Sequence, residues 1–116
     1  MARKFLYFVA FCIVIVIAGG IVLALFPNDM LAEDAGVPGE GHGFRRQTLA
    51  WNVADAAAVD AGFARVMAAG AVSLKPPYKT SWGGYVGHFA DTEGHLWEIA
   101  HNPFFPLDAN GAVSVP

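Results

Sequence analysis

Residues 81–106, SWGGYVGHFADTEGHLWEIAHNPFFP, decide the fold of this chain. They read as two short strands, at 84–90 and 95–101, joined by a tight turn at 91–94. The turn has Asp at its first position and Gly at its fourth, as a type I turn prefers. Successive side chains of a strand point to opposite faces. The second strand therefore carries one carboxylate, Glu98, on a face that otherwise has small and apolar side chains.

Glu98 is the first candidate for a functional residue. A carboxylate that leaves water needs a partner, a metal ion or a raised pKa. We therefore predict that Glu98 acts as a general base or a metal ligand. The alternative is a structural carboxylate that is buried and hydrogen-bonded without any role in binding.

The run at 89–100, FADTEGHLWEIA, resembles the last hairpin of the vicinal-oxygen-chelate superfamily, which includes glyoxalase I, extradiol dioxygenases and bleomycin-resistance proteins. In that superfamily D-P-D-G-x-x-x-E-[LIV] closes a βαβββ module, and the Glu is commonly a metal ligand. Thr92 stands here where Pro is usual. The similarity continues in WGGY at 82–85 and TLAWNV at 48–53. Residues 19–38 are similar to the end of a first module and its linker, so the resemblance covers 19–116, about half of a usual two-module chain.

The resemblance implies one metal ligand near the start of each module and a Glu near its end. Thr48 stands at the position of the usual His, and Thr is a poor ligand for zinc, iron or nickel. Glu98 is then the remaining candidate ligand. We therefore expect a metal-poor pocket without a cofactor, with a divalent metal as the alternative. The pocket residues that we predict beside Glu98 are Thr48, Trp82, Tyr85 and His88.

Two functions stay open at this point, and the residues do not decide whether the chain is an enzyme. The first is a domain that binds a small molecule without metal, as the bleomycin-resistance-like members do. The second is a metal-dependent lyase or dioxygenase that a second copy of the chain completes. A single βαβββ module has an exposed sheet edge, which invites pairing. We therefore expect a homodimer.

The composition excludes several kinds of partner and of stabilising site. The chain has 116 residues, room for one small domain, and a net charge of −3. It has no basic stripe, which argues against nucleic-acid binding. Its single cysteine, Cys12, excludes an internal disulfide and a Cys-based zinc site.

Residues 5–26, FLYFVAFCIVIVIAGGIVLALF, carry no charge. About 20 apolar residues span a bilayer as a helix. Arg3 and Lys4 precede the run and Asp29 follows it, and this bias places the N-terminus in the cytoplasm. We predict a single-pass membrane anchor. A cleaved signal peptide is one alternative. Another is a strand within 19–27 that ends a first module, which leaves too few residues for a span and makes the protein cytoplasmic.

The predicted fold is thus α+β, with one βαβββ module that we expect to be a truncated form of a two-module chain. The module begins with a strand at 44–53 and continues with a helix that Asp55 caps. A short strand at 72–75 then ends at Pro76-Pro77, before the hairpin. The predicted organisation is an apolar anchor at 1–26, a linker at 27–43 and the module at 44–116.

Overall fold

The structure is a computed structural model that describes residues 6–9, 12–17, 21–40 and 46–114. Its strands form two sheets. One helix follows the three strands of the first sheet, and the other follows the first strand of the second sheet. In chain order the elements are β1 (Leu6–Val9), β2 (Cys12–Ile17), β3 (Ile21–Leu25), α1 (Asn28–Ala35), β4 (Leu49–Asn52), α2 (Ala56–Ala68), β5 (Val72–Lys79), β6 (Tyr85–Ala90) and β7 (Leu96–His101).

The apolar N-terminal run forms strands instead of the predicted membrane helix. β2 pairs antiparallel with β1 on one side and with β3 on the other. Among the described residues, no helix has the length and apolarity needed to cross a membrane. The predicted helix at 5–26 is therefore wrong for the described part of the run, and the alternative strand within 19–27 is confirmed as β3. The flanking Arg3 and Lys4 lie outside the described residues.

The reason for this error is physical. A continuous apolar run has no periodicity that separates a buried strand from a helix. The sequence of β2, CIVIVI, is rich in β-branched residues, which fit a pleated sheet better than a helix. Length alone favoured the helix.

Residues 49–101 form the predicted βαβββ module. The four strands are ordered β4-β7-β6-β5, with β4 parallel to β7 and the other pairs antiparallel. The predicted turn joins β6 to β7: the amide of Gly94 donates to the carbonyl of Asp91 at 3.0 Å, and Gly94 has a φ of 82°. The α+β fold with one βαβββ module is therefore confirmed.

The core lies between α2 and one face of this sheet. Val59 and Phe63 of α2 pack against Phe89 of β6 and Ile99 of β7. We call this side of the sheet the α2 face. Because side chains alternate, the opposite side carries His88 and Glu98 together with the apolar residues Val86, Leu96 and Ala100.

The start of α2 is fixed by the predicted cap. The Asp55 carboxylate accepts a hydrogen bond from the amide of Ala58 at 2.8 Å. We expect Asp55→Ala to lower the free energy of unfolding by about 1 kcal/mol, because it leaves an amide of the first turn without its acceptor. Urea denaturation measures this, with Asp55→Asn as the control that keeps the acceptor. Equal losses in the two variants would contradict the capping role.

β5 is longer than predicted. It runs through Pro76 and Pro77 to Lys79, because it lies at the edge of the sheet, where a residue without an amide proton breaks no ladder on the outer side. The pairing with β6 shifts register on both sides of Lys75. This extension brings Lys75 and Tyr78 into the sheet, opposite His88 and Val86.

α1 lies on the side of the sheet away from α2, which we call the α1 face. It contacts β7, and a side chain at Gly36, just past its end, would meet the Cγ atom of Lys75 on β5. Ala32 and Ala35 of α1 are buried, at 2% and 1% exposure. These residues fall within the predicted linker at 27–43, and the sequence did not indicate that they would pack on the sheet.

Candidate functional site

A row of titratable side chains crosses the α1 face of the sheet. In the strand register Glu98 of β7 lies beside His88 of β6, and His88 lies beside Lys75 of β5. Ala50 of β4 lies on the other side of Glu98. Directly opposite residues share a face of the sheet. We call Lys75, His88 and Glu98 the polar row.

Glu98 occupies the middle of the sheet, and its carboxyl group is removed from water. Burial raises its pKa to about 7, and the negative charge of nearby Asp34 adds to the rise. A carboxyl group with this pKa exists in both protonation states near neutral pH, so it can donate a hydrogen bond or accept a proton. The sequence prediction that burial would perturb Glu98 agrees with this environment.

His88 is a neutral imidazole in this site. The residue is 2% exposed, and burial together with the charge of Lys75 lowers its pKa to about 4. Its Nε2 atom lies 3.4 Å from the Tyr78 hydroxyl, and the two rings stack at 6.1 Å between centroids. Its Nδ1 atom is buried and has no hydrogen-bond partner among the described residues. One ring nitrogen is thus left for a further polar contact.

Charges from β5 and α1 surround the row. The Lys75 ammonium lies 5.7 Å from the centre of the Tyr78 ring and donates to the backbone carbonyl of Glu33. Burial raises the pKa of Asp34, while Lys75 opposes the rise and Glu33 adds to it. The pKa of Tyr78 is raised by burial and by the charges of Asp34 and Glu98, so its hydroxyl stays protonated. The cation of the polar row, Lys75, thus has acidic side chains of α1 near it.

Of the residues that we predicted for the pocket, Thr48, His88 and Glu98 share the α1 face. Thr48 precedes β4 and has the same alternation as Ala50. Its Oγ1 atom is buried and has no hydrogen-bond partner within the described part of the chain. The site thus has a second buried polar atom that lacks a contact.

Tyr85 and Trp82 lie elsewhere. The Tyr85 hydroxyl donates to Asp60 of α2 at 2.8 Å, so this side chain is on the α2 face. Trp82 lies in the loop before β6, with its ring against Gly84. The structure therefore does not bring these two aromatic residues together with Glu98.

Three residues of the site were missed from the sequence: Asp34, Lys75 and Tyr78. The predicted end of β5 at Lys75 hid Tyr78, because the two prolines between them were read as the end of the strand. Asp34 was assigned to a linker, and a contact with a strand more than 60 residues away leaves no local signal. Lys75 belongs to the site through its register with His88, which the sequence does not reveal.

The residues of one chain do not fit the metal centre that the superfamily resemblance implies. Across residues 6–9, 12–17, 21–40 and 46–114, no three His, Cys, Asp or Glu side chains are close enough to hold a metal ion. Glu98 and His88 make a pair, and the Thr48 hydroxyl is a poor third ligand.

The βαβββ topology, with Glu98 within its last strand, agrees with a known family. The model of the Glyoxalase/Bleomycin resistance protein/Dioxygenase superfamily matches residues 13–99. The chain belongs to this superfamily. The match begins inside β2, so it includes part of the N-terminal sheet that we had predicted as a membrane helix. The resemblance of the hairpin is thereby confirmed.

Solved structures of this superfamily resemble the chain. A glyoxalase-related enzyme from Fulvimarina pelagi is 35% identical, with a TM-score of 0.56, and the match covers 93% of this chain and 76% of that one. A glyoxalase/bleomycin resistance protein/dioxygenase family enzyme from Burkholderia phytofirmans is 23% identical, with a TM-score of 0.50, over 80% of this chain and 72% of that one.

A third structure, described as an NAD-dependent benzaldehyde dehydrogenase from Legionella pneumophila, has a TM-score of 0.61 at 18% identity, over 82% of this chain and 75% of that one. At this identity the likeness concerns the fold alone. A comparison with curated proteins finds no match.

Proposed function

We propose that this domain binds a small polar molecule on the α1 face, at the polar row, in a pocket that holds no metal. The observation that supports this is the pairing of Glu98, with a pKa near 7, and neutral His88 on one apolar sheet face. Two neighbouring titratable groups whose pKa values burial shifts this far are unusual outside binding and catalytic sites. Near neutral pH Glu98 can exchange a proton with a ligand, while His88 stays neutral.

The free polar atoms indicate the class of ligand. Protonated Glu98 donates a hydrogen bond, while the buried Nδ1 of His88 and Oγ1 of Thr48 each have capacity for one more. Such atoms are costly to leave without partners. A ligand with carbonyl or hydroxyl oxygens, bound beside Thr48, His88 and Glu98, would satisfy them.

The test is a titration followed by NMR. Fragment-sized hydroxy and keto compounds are added to isotope-labelled protein. We expect the resonances of Thr48, His88 and Glu98 to shift, while those of Asp60 and Tyr85 on the α2 face stay in place. Glu98→Gln keeps a donor and the shape of the side chain but cannot ionise, so it should weaken binding by about tenfold or more if the ligand exchanges a proton with Glu98 or binds its ionised form.

Glu93→Gln is the matched control, because Glu93 is exposed in the β6–β7 turn and its substitution removes the same charge. It should bind as the wild type does. If Glu98→Gln bound the fragments unchanged while losing stability, Glu98 would be a structural carboxylate and the proposed site would be wrong.

A second candidate is a metal-dependent lyase or dioxygenase that dimerisation completes. Its support is an exposed apolar edge: Ile21, Leu23 and Leu25 of β3 are 61, 48 and 50% exposed. On the edge strand β4, Leu49 is 49% exposed. Edges of this kind invite pairing with another chain. A second copy that covers them would bring further Glu98 and His88 side chains to the assembly.

Sedimentation and metal analysis of the same sample separate the two candidates. The dimeric enzyme requires a dimer that retains metal and loses it in Glu98→Gln. A dimer without metal after incubation with zinc, nickel, manganese and ferrous ions supports the metal-poor pocket. A stable monomer that binds the fragments would remove the need for a second copy.

A further inference from the structure

A second row of titratable side chains crosses the sheet on the α2 face. In the strand register Tyr85 of β6 lies opposite Lys79 of β5 on one side and opposite His101 of β7 on the other. Directly opposite residues share a face of the sheet. The bond from the Tyr85 hydroxyl to Asp60 identifies this face as the one that α2 covers. We call Lys79, Tyr85 and His101 the second row, and it lies on the other side of the sheet from the polar row.

The second row lines an open cleft of about 490 Å³ between the start of α2 and the loop that joins β5 to β6. This volume falls in the range of small-molecule sites in proteins, about 300–1,000 Å³. The other residues that line the cleft are Ala56, Asp60, Thr80, Gly83 and Gly84. Because three of these have small side chains or none, the cleft has room for a ligand between its polar groups.

The cleft contains one cation and one acid that do not pair with each other. Lys79 and Asp60 are both exposed, and among the described residues neither takes part in an ion pair. One oxygen of the Asp60 carboxylate accepts from the Tyr85 hydroxyl at 2.8 Å, and the other has no hydrogen-bond partner in the described part of the chain. The Lys79 ammonium group has three protons to donate. Each charge is therefore able to bind a ligand group of opposite sign.

Two hydroxyl groups extend this division of the cleft. The Thr80 hydroxyl accepts from the amide of Gly84 at 2.8 Å, so its own proton remains to be donated. The Tyr85 hydroxyl donates its proton to Asp60, so its oxygen remains to accept. Donors therefore lie at the end of β5, with Lys79 and Thr80, and acceptors lie beside α2, with Asp60 and Tyr85.

We propose that this cleft binds a small zwitterion of the amino-acid class, with its carboxylate at Lys79 and Thr80 and its ammonium group at Asp60 and Tyr85. A ligand with a single charge is attracted by one side of the cleft and repelled by the other. A ligand with both charges is attracted by both. The site is separate from the polar row, so it does not depend on the function proposed there.

Binding in this cleft is expected to be weak, because Lys79 and Asp60 are exposed. Water and salt screen such charges, so each ion pair contributes little. We expect dissociation constants on the order of millimolar. Removal of one ion pair should raise them by about threefold to fivefold.

An NMR titration of the isotope-labelled full chain tests the proposal with probes of similar size. β-Alanine carries both charges, propionate carries the carboxylate alone, and propylamine carries the ammonium group alone. We expect β-alanine to shift the resonances of Lys79, Thr80 and Tyr85, while those of Thr48 and Glu98 stay in place. It should bind about threefold or more tightly than either single-charge probe. Glycine and 4-aminobutyrate vary the distance between the charges by one carbon atom in each direction.

Two substitutions should change the preference in opposite directions. Lys79→Met removes the cation, so it should weaken the binding of β-alanine and propionate and strengthen that of propylamine. Asp60→Asn keeps an oxygen that accepts from Tyr85 but removes the negative charge, so it should weaken β-alanine and propylamine and strengthen propionate. Arg65→Met and Glu93→Gln are the matched controls, because they remove the same charges at exposed positions that do not line the cleft. Both should bind β-alanine as the wild type does.

Three results would overturn the proposal. One is the absence of shifts at Lys79, Thr80 and Tyr85 with each of the three amino acids at about 50 mM, well above a millimolar dissociation constant. Another is equal affinity for β-alanine, propionate and propylamine. The third is an equal loss of affinity in Lys79→Met and Arg65→Met, because the overall charge of the protein would then determine binding.

Discussion

Replacing Gly62 with Val is expected to destabilise the protein by about 3 kcal/mol, the upper end of the usual cost of overfilling a core. Gly62 lies on α2 where the helix meets the sheet. Even a Cβ atom there would collide with the Cδ1 atom of Ile99, and it would come within 3.2 Å of the Trp51 ring. Ile99 has no exposed surface and thus no space into which to move. The two further methyl groups of Val increase the overlap.

Ala61→Val is the matched control, because Ala61 is exposed on the neighbouring position of α2. It should cost at most about 0.7 kcal/mol, the difference in helix propensity. Propensity alone would favour Val over Gly at position 62, so a loss there must come from packing. Urea denaturation of both variants gives the comparison. If Gly62→Val were as stable as the wild type, α2 would lie farther from the sheet than described.

The sequence predicted those parts of the fold that local chemistry determines. Asp91 and Gly94 fix the turn between β6 and β7, and Asp55 fixes the start of α2, so each boundary has a residue that specifies it. The strands at the hairpin were predicted to within one residue at each end. These elements need no knowledge of the rest of the chain.

The parts that failed depend on contacts between distant segments. The strands β1, β2 and β3 form their backbone hydrogen bonds with one another. An apolar run does not show whether its backbone bonds within a helix or to a neighbouring strand. β5 continues through its prolines because of its position at an edge, which is a property of the whole sheet. α1 reaches Lys75 across 42 positions of sequence.

The residues of the candidate site also fall into those that local alternation could place and those that only tertiary packing places. Alternation along β7 was enough to separate Glu98 from the core residue Ile99, and the same rule places His88 and Tyr85, three residues apart on β6, on opposite faces. Tyr85 could therefore have been excluded from the pocket by counting. The acid on α1 could not have been added, because its proximity to Glu98 arises from tertiary packing alone.

Glu98→Gln is expected to remove a large pH dependence of stability. The pKa of Glu98 is about 7 in the folded protein and about 4.5 when the chain unfolds, so the stabilisation by the protonated form is complete below about pH 4.5 and is lost as the pH rises to about 7. A shift of this size corresponds to about 3 kcal/mol at most. Gln has nearly the same shape as protonated Glu, so the variant should match the wild type near pH 4.5 and exceed it above pH 7.

The difference between the two proteins is the quantity to measure, because His88 acts in the opposite direction. Its pKa is lowered from 6.5 to about 4, so its contribution to stability grows as the pH rises through that range. Both proteins contain His88, and subtraction removes it. Urea denaturation from about pH 4.5 to about pH 8 therefore isolates Glu98, and a constant difference between the proteins would contradict its buried, protonated state.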